Sequence, residues 1–150
     1  MKNLLYPNSA STNADVGLLI LRVIAGAGLA QHGWPKIQHA FNWMGPDAPV
    51  PGILQALAAL AEFGGGLALI VGLLTPFAAL GIACTMLTAL GMVHLPRGDA
   101  FVDPKGGPSY ELAAVYLGIA LLLLLAGPGR FSLDALLFRR GTGAGPVTPV

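Results

Sequence analysis

The sequence predicts an all-α integral membrane protein, a four-helix bundle, on three observations. Four apolar runs are each of the length a membrane-crossing helix needs, about 17 residues or more. Hydrophobic residues make up 55% of the 150-residue chain and charged residues only 10%, a balance outside that of soluble globular domains. No run alternates with period two, and backbone groups in lipid must be satisfied within their own segment, so helices are expected rather than a barrel.

The elements follow in order. A polar tail over residues 1–14 lacks the basic-then-apolar layout of a signal peptide and reads as retained. The transmembrane domain covers 15–138, with spans expected at 16–33, 53–74, 76–94 and 110–126. Thr75-Pro76 leaves room only for a tight turn, which makes the second and third helices antiparallel neighbours with Pro76 at a helix start. The two long connections, 34–52 and 95–109, then share one face of the membrane. In the first, Ile37, Ala40, Phe41 and Met44 recur at helical spacing beside Lys36, Gln38 and Asn42, so a short interfacial helix is expected, with Trp34 and Trp43 at headgroup depth. It gives way to a proline-rich loop from Gly45 to Gly52. The second connection carries Arg97, Asp99, Asp103 and Lys105 and reads as a surface loop.

After Gly127-Pro128-Gly129, Ser132 is placed to cap a short amphipathic segment whose Leu133, Leu136 and Leu137 face the membrane. Residues 139–150, rich in Gly, Pro and Thr, are expected to be disordered. Lys2, Arg130, Arg139 and Arg140 lie on the side of the termini, against Lys36, Arg97 and Lys105 on the other. That margin of one basic residue places both termini in the cytoplasm.

Composition also excludes. A net charge of +1 without a basic patch rules out nucleic acid as a partner. The single cysteine, Cys84, lies in an apolar run; it supports neither a disulfide framework nor a cysteine metal knuckle within one chain and reads as a small core residue. Gly64-Gly65-Gly66 has no strand before it and no Lys-Ser/Thr after it, so it serves close helix packing and not phosphate.

Ionisable groups inside a membrane are the informative ones, since each costs about 2.5–3.5 kcal/mol at a helix centre and persists only when paired or useful. Arg22 and Glu62 sit well inside the first and second spans, each on a face rich in glycine. A buried charge pair between them is expected, either as a structural ion pair or in a proton-carrying or ligand-binding role. A second set gathers at the loop side, where His32 and His94 close the first and third helices and Tyr110 and Glu111 open the fourth. These four form a candidate ligand or proton site, the mouth of a pocket beside Trp34 that leads down toward Arg22 and Glu62, or else a solvated rim. No metal is expected, because the histidines and the carboxylate lie on separate helices with no local ligand spacing.

Further motifs are Gly17-Leu18-Leu19-Ile20-Leu21-Arg22 opening the first helix, Gln31-His32-Gly33-Trp34-Pro35-Lys36 closing it, Glu62 followed by glycines, Gly72-Leu73-Leu74-Thr75-Pro76 at the tight turn, and the stretch from Gly129 to Leu136. In this combination the chain resembles the DoxX family of small bacterial membrane proteins, from Val16 to Leu137. The resemblance implies a multi-pass protein of the bacterial inner membrane, in a family named through quinone-linked oxidoreductase complexes and similar to the membrane subunit of thiosulfate:quinone oxidoreductase. It supplies no catalytic residue to carry over. The chain has no redox signature of its own, neither a Cys pair, nor a C-x-x-C-H, nor a dinucleotide fingerprint. Two classes of function are therefore expected. One is a quinone-associated or redox-complex membrane subunit, with the lipid bilayer, quinone and redox enzyme subunits as partners; the other is a non-enzymatic scaffold or small-solute permease.

Overall fold

Apolar chain in lipid satisfies its amides as helix, and the computed structural model, which describes residues 11–138, is helical throughout its membrane-depth segments. α1 (Thr12–Gln38), α2 (Gly52–Val71), α3 (Thr75–Arg97) and α4 (Glu111–Ala126) run up and down, and a short α5 (Leu133–Phe138) follows. The first three are long and apolar enough to cross a membrane. α4 has 16 residues, about 24 Å at 1.5 Å per residue, and closes the bundle against α3. Among the described residues the only β pairing is an isolated bridge between Ala100 and Ser109. Most of the polar N-terminal tail and the whole 139–150 tail lie outside the described residues.

α1 is longer than its apolar run at both ends. Ser11 caps it, its hydroxyl accepting from the Ala14 amide at 3.4 Å, and Asp15 in the first turn complements the helix dipole. At the other end the helix continues through Pro35 to Gln38. The separate interfacial helix expected near 37–44 is therefore not formed. Ile37 and Gln38 finish α1, and residues 39–44 are consecutive turns, with Asn42 N donating to His39 O at 2.9 Å and Gly45 N to Asn42 O at 3.0 Å. A proline one turn from a helix end removes a single amide bond, which a membrane helix tolerates when its last turn is held elsewhere, here by Lys36.

Glycines set how α1 meets α2. A methyl group on Gly26 or Gly33 would run into the facing backbone at Gly66 or Phe63, so these helices touch main chain to main chain. The same contacts fix an antiparallel register in which Gly33 faces Phe63, Ala30 faces Gly66 and Gly26 faces Ile70. The apolar core lies where α3 packs between α2 and α4, built on Leu69, Ile82, Met86, Ala120 and Leu123 with Leu29 from α1.

The α2–α3 turn is held by the far end of the chain. Gly72 (φ 70°) and Leu74 (φ 48°) are both left-handed, a conformation that strains a leucine. The Leu74 and Thr75 amides donate to Asp134 Oδ1 at 2.6 Å and Oδ2 at 2.8 Å, so a carboxylate 60 residues away caps α3, with Pro76 in its first turn. The last stretch of α3 widens to π geometry over Leu90–His94 before Gly98 ends it.

Candidate functional site

The close approach at Gly33 carries the last turn of α1 onto α2. Lys36, one turn further on, reaches back to Glu62, its Nζ 2.6 Å from both Oε1 and Oε2. Glu62 is buried and Lys36 is 24% exposed, so the ammonium sits where water or a ligand can meet it. The Trp43 ring lies against the same ammonium, 4.6 Å from Nζ to its centroid, within cation–π range. Trp43 is in turn positioned by the start of α2. Its indole N–H donates to Gln55 O at 3.0 Å, the Met44 amide donates to Gln55 Oε1 at 3.1 Å, and Gln55 Nε2 donates to Val50 O at 2.8 Å.

Beside this pair a cleft of 670 Å³ opens between α2 and α3. Its walls are apolar, with Leu57, Ala61 and Ala68 on α2 and Phe77 and Gly81 on α3; Lys36, Glu62 and Trp43 gather its polarity on one flank. Thr85 and Thr88 line the opposite wall together with Cys84, which is exposed in the cleft and not the core residue expected of it. Gly81 packs against Ala61, so Thr85, one turn on, lies about 7.5 Å toward the loop side of Glu62.

Arg22 and Glu62 are both buried, but they do not pair. Continuing the α1–α2 register sets Arg22 opposite the α2–α3 turn and Glu62 opposite Trp34, about twelve residues and ~18 Å apart in depth. The expected pair needs similar depths, whereas the glycine contacts slide the two helices until Glu62 lies beside the last turns of α1. Arg22 instead donates through Nη2 to Phe131 O and through Nη1 to Leu69 O at 3.4 Å.

The loop-side set reaches one end of the bundle without converging. His32 is exposed and meets Tyr116 edge-on at 6.4 Å, because α1 runs six residues past it and leaves it below the rim. His94 Nδ1 lies 2.8 Å from Asp99 Oδ2, Tyr110 packs on Phe101 at 5.3 Å, and Glu111 is exposed in the first turn of α4. None of the four, nor Trp34, lines the cleft; Trp34 packs on Phe63 at 5.4 Å.

A second polar centre at the termini side was not legible in advance. Asp15, Arg22, Thr75, Ser132 and Asp134 are all buried there. Asp15 Oδ1 accepts the Arg130 amide at 2.9 Å, while its Oδ2 lies 3.9 Å from Arg130 Nε, beyond hydrogen-bond reach. Ser132 Oγ donates to Gly129 O at 2.7 Å and accepts the Ala135 amide at 3.1 Å, fixing the segment that delivers Asp134 to α3 and Phe131 O to Arg22. Asp15 and Asp134 lie outside the apolar runs, where nothing local marks them as buried, and Lys36 falls beside the expected interfacial segment instead of in the last turn of α1.

Apolar helices of spanning length, packed through glycine and enclosing charged groups, define a small multi-pass membrane protein. A DoxX family profile matches residues 17–95, more than half of the chain, and the protein belongs to the DoxX family. The chain is 35% identical over 133 residues to the inner membrane protein YqjF of Escherichia coli (strain K12), covering 84% of this chain and 95% of that one. It is 27% identical over 125 residues to a Haemophilus influenzae protein described as uncharacterized, covering 82% and 92%. No solved structure matches.

Proposed function

We propose that this protein is an inner-membrane, quinone-binding subunit that serves a redox enzyme complex, and that the cleft between α2 and α3 takes the quinone. The observation that supports the reading is the union of a 670 Å³ apolar cleft with one intramembrane ion pair, Lys36–Glu62, on its flank. Small-molecule sites commonly hold about 300–1,000 Å³ and combine apolar walls with a few fixed polar groups, and intramembrane charges are kept for function. Lys36 supplies a donor for the ring oxygen, Trp43 a surface beside the head, and the apolar walls room for a tail. The name of the E. coli relative supports the inner membrane as the location. Both termini face the cytoplasm in this reading. Electron transfer falls to the partner enzyme, since the chain has no cysteine pair or cofactor fingerprint of its own. The termini-side network ties the α2–α3 turn and α1 to the start of α5 and the segment before it, with Asp15 Oδ2, Arg22 Nε and Thr75 Oγ1 left without hydrogen-bond partners among the described residues.

Trp43 offers the test. Trp34→Phe leaves it as the sole tryptophan, and a short-tailed benzoquinone is expected to quench its emission saturably, with Lys36→Met weakening the effect tenfold or more. Linear, unsaturable quenching that Lys36→Met leaves unchanged would return the protein to the scaffold class.

A further inference from the structure

We infer that the cleft selects the reduced form of its ligand, a quinol carrying hydroxyl donors, over the oxidised quinone; the inference rests on the reading above and names which redox form the site holds. Thr85 Oγ1 already donates its proton to Gly81 O at 3.0 Å, and Thr88 Oγ1 donates to Cys84 O at 2.9 Å. Each hydroxyl therefore presents lone pairs, not a proton, to the cleft. The Trp43 indole N–H is occupied by Gln55 O. Glu62 is acceptor-only, and two of the three Lys36 protons are directed at it.

What remains is one strong donor, the third Lys36 N–H, against acceptors on both walls. A thiol at Cys84 adds only a weak donor.

A quinone ring carries two carbonyls, which only accept. One can take the Lys36 proton, and the other then faces oxygens that have no proton to give. Rotating a threonine hydroxyl toward it exchanges one hydrogen bond for another and gains nothing. A quinol accepts from Lys36 equally well, and its far hydroxyl donates to Thr85 or Thr88 while the threonines keep their bonds along α3. The reduced form thus gains at least one net hydrogen bond between largely apolar walls, a difference on the order of tenfold in affinity.

The test compares one fully substituted decyl-benzoquinone in its two redox states, titrated calorimetrically into the detergent-solubilised protein under argon, with and without reductant. Full substitution keeps the Cys84 thiol from adding to the ring. The quinol is expected to bind about tenfold more tightly than the quinone, and Thr85→Val/Thr88→Val, near-isosteric changes, to reduce that ratio to about one. Equal binding by the parent, tighter binding of the quinone, or a ratio that survives the double change would overturn the inference while leaving quinone binding intact. Binding of neither form would overturn the proposed function and this inference with it. Displacement of the quinol by dodecanol at equal concentration would support the hydroxyl preference but remove quinone as its natural source.

Discussion

Replacing Lys36 by methionine leaves the buried Glu62 carboxylate without its cation, and no other ion pair reaches Glu62 among the described residues. Removing one partner of a buried pair costs about 3–5 kcal/mol. Lys36 is 24% exposed, so water softens the loss and the lower end, about 3 kcal/mol, is expected. Glu62→Gln leaves a lysine that can turn toward solvent and should cost about 1 kcal/mol. The double variant removes both charges together and should cost about 2 kcal/mol, a coupling of about 2 kcal/mol between the two positions. The cycle is measured by unfolding in mixed micelles titrated with SDS. Additivity within about 0.5 kcal/mol would show that Lys36 and Glu62 do not interact and would undo the site on which the proposed function stands. Arg22→Leu combined with Glu62→Gln serves as the contrasting cycle and should be additive, since those groups lie on opposite halves of the seam.

Other outcomes follow from the same geometry. Asp134→Ala removes the cap from α3 and should destabilise by about 2 kcal/mol, with Leu74→Gly recovering part of the loss by relieving the left-handed leucine, both read in the same SDS titration. Gly33→Leu should separate α1 from α2 and abolish cooperative unfolding, whereas Gly17→Leu, with nothing near its Cα hydrogen, should leave the transition within about 0.5 kcal/mol of the parent. His94→Ala should leave quinone-analogue affinity unchanged, because His94 turns to Asp99 and lies off the cleft; a tenfold loss would move the site to the loop-side rim. Reporter fusions after Thr142 and within residues 99–106 should show the termini cytoplasmic and that loop on the opposite side.

The helical class and the order of the spans could be read from the chain because both depend on local quantities: run length, lack of alternation, and a proline at a turn. The glycines on the faces of Arg22 and Glu62 also marked the α1–α2 contact, since small side chains are what permit close approach in lipid. Which charges meet across that contact is a different kind of quantity. It depends on register, which the close contacts of Gly26 with Gly66 and of Gly33 with Phe63 fix and which helix ends do not. Lys36 looked like an interfacial residue from its neighbours in sequence, and becomes the partner of Glu62 only because Gly33 brings the α1 turn down onto α2.

Hydropathy and period therefore settle that the chain is a membrane bundle and nearly where each helix lies, since a segment's transfer into lipid is summed over its own residues. Packing alone settles that Glu62 binds Lys36, that Asp134 caps α3, that Cys84 and two threonines look into a cleft, and that the histidines do not. Each of those outcomes joins groups on different helices, and its energy is set by relative depth and rotation, which helix–helix contacts fix and sequence proximity does not.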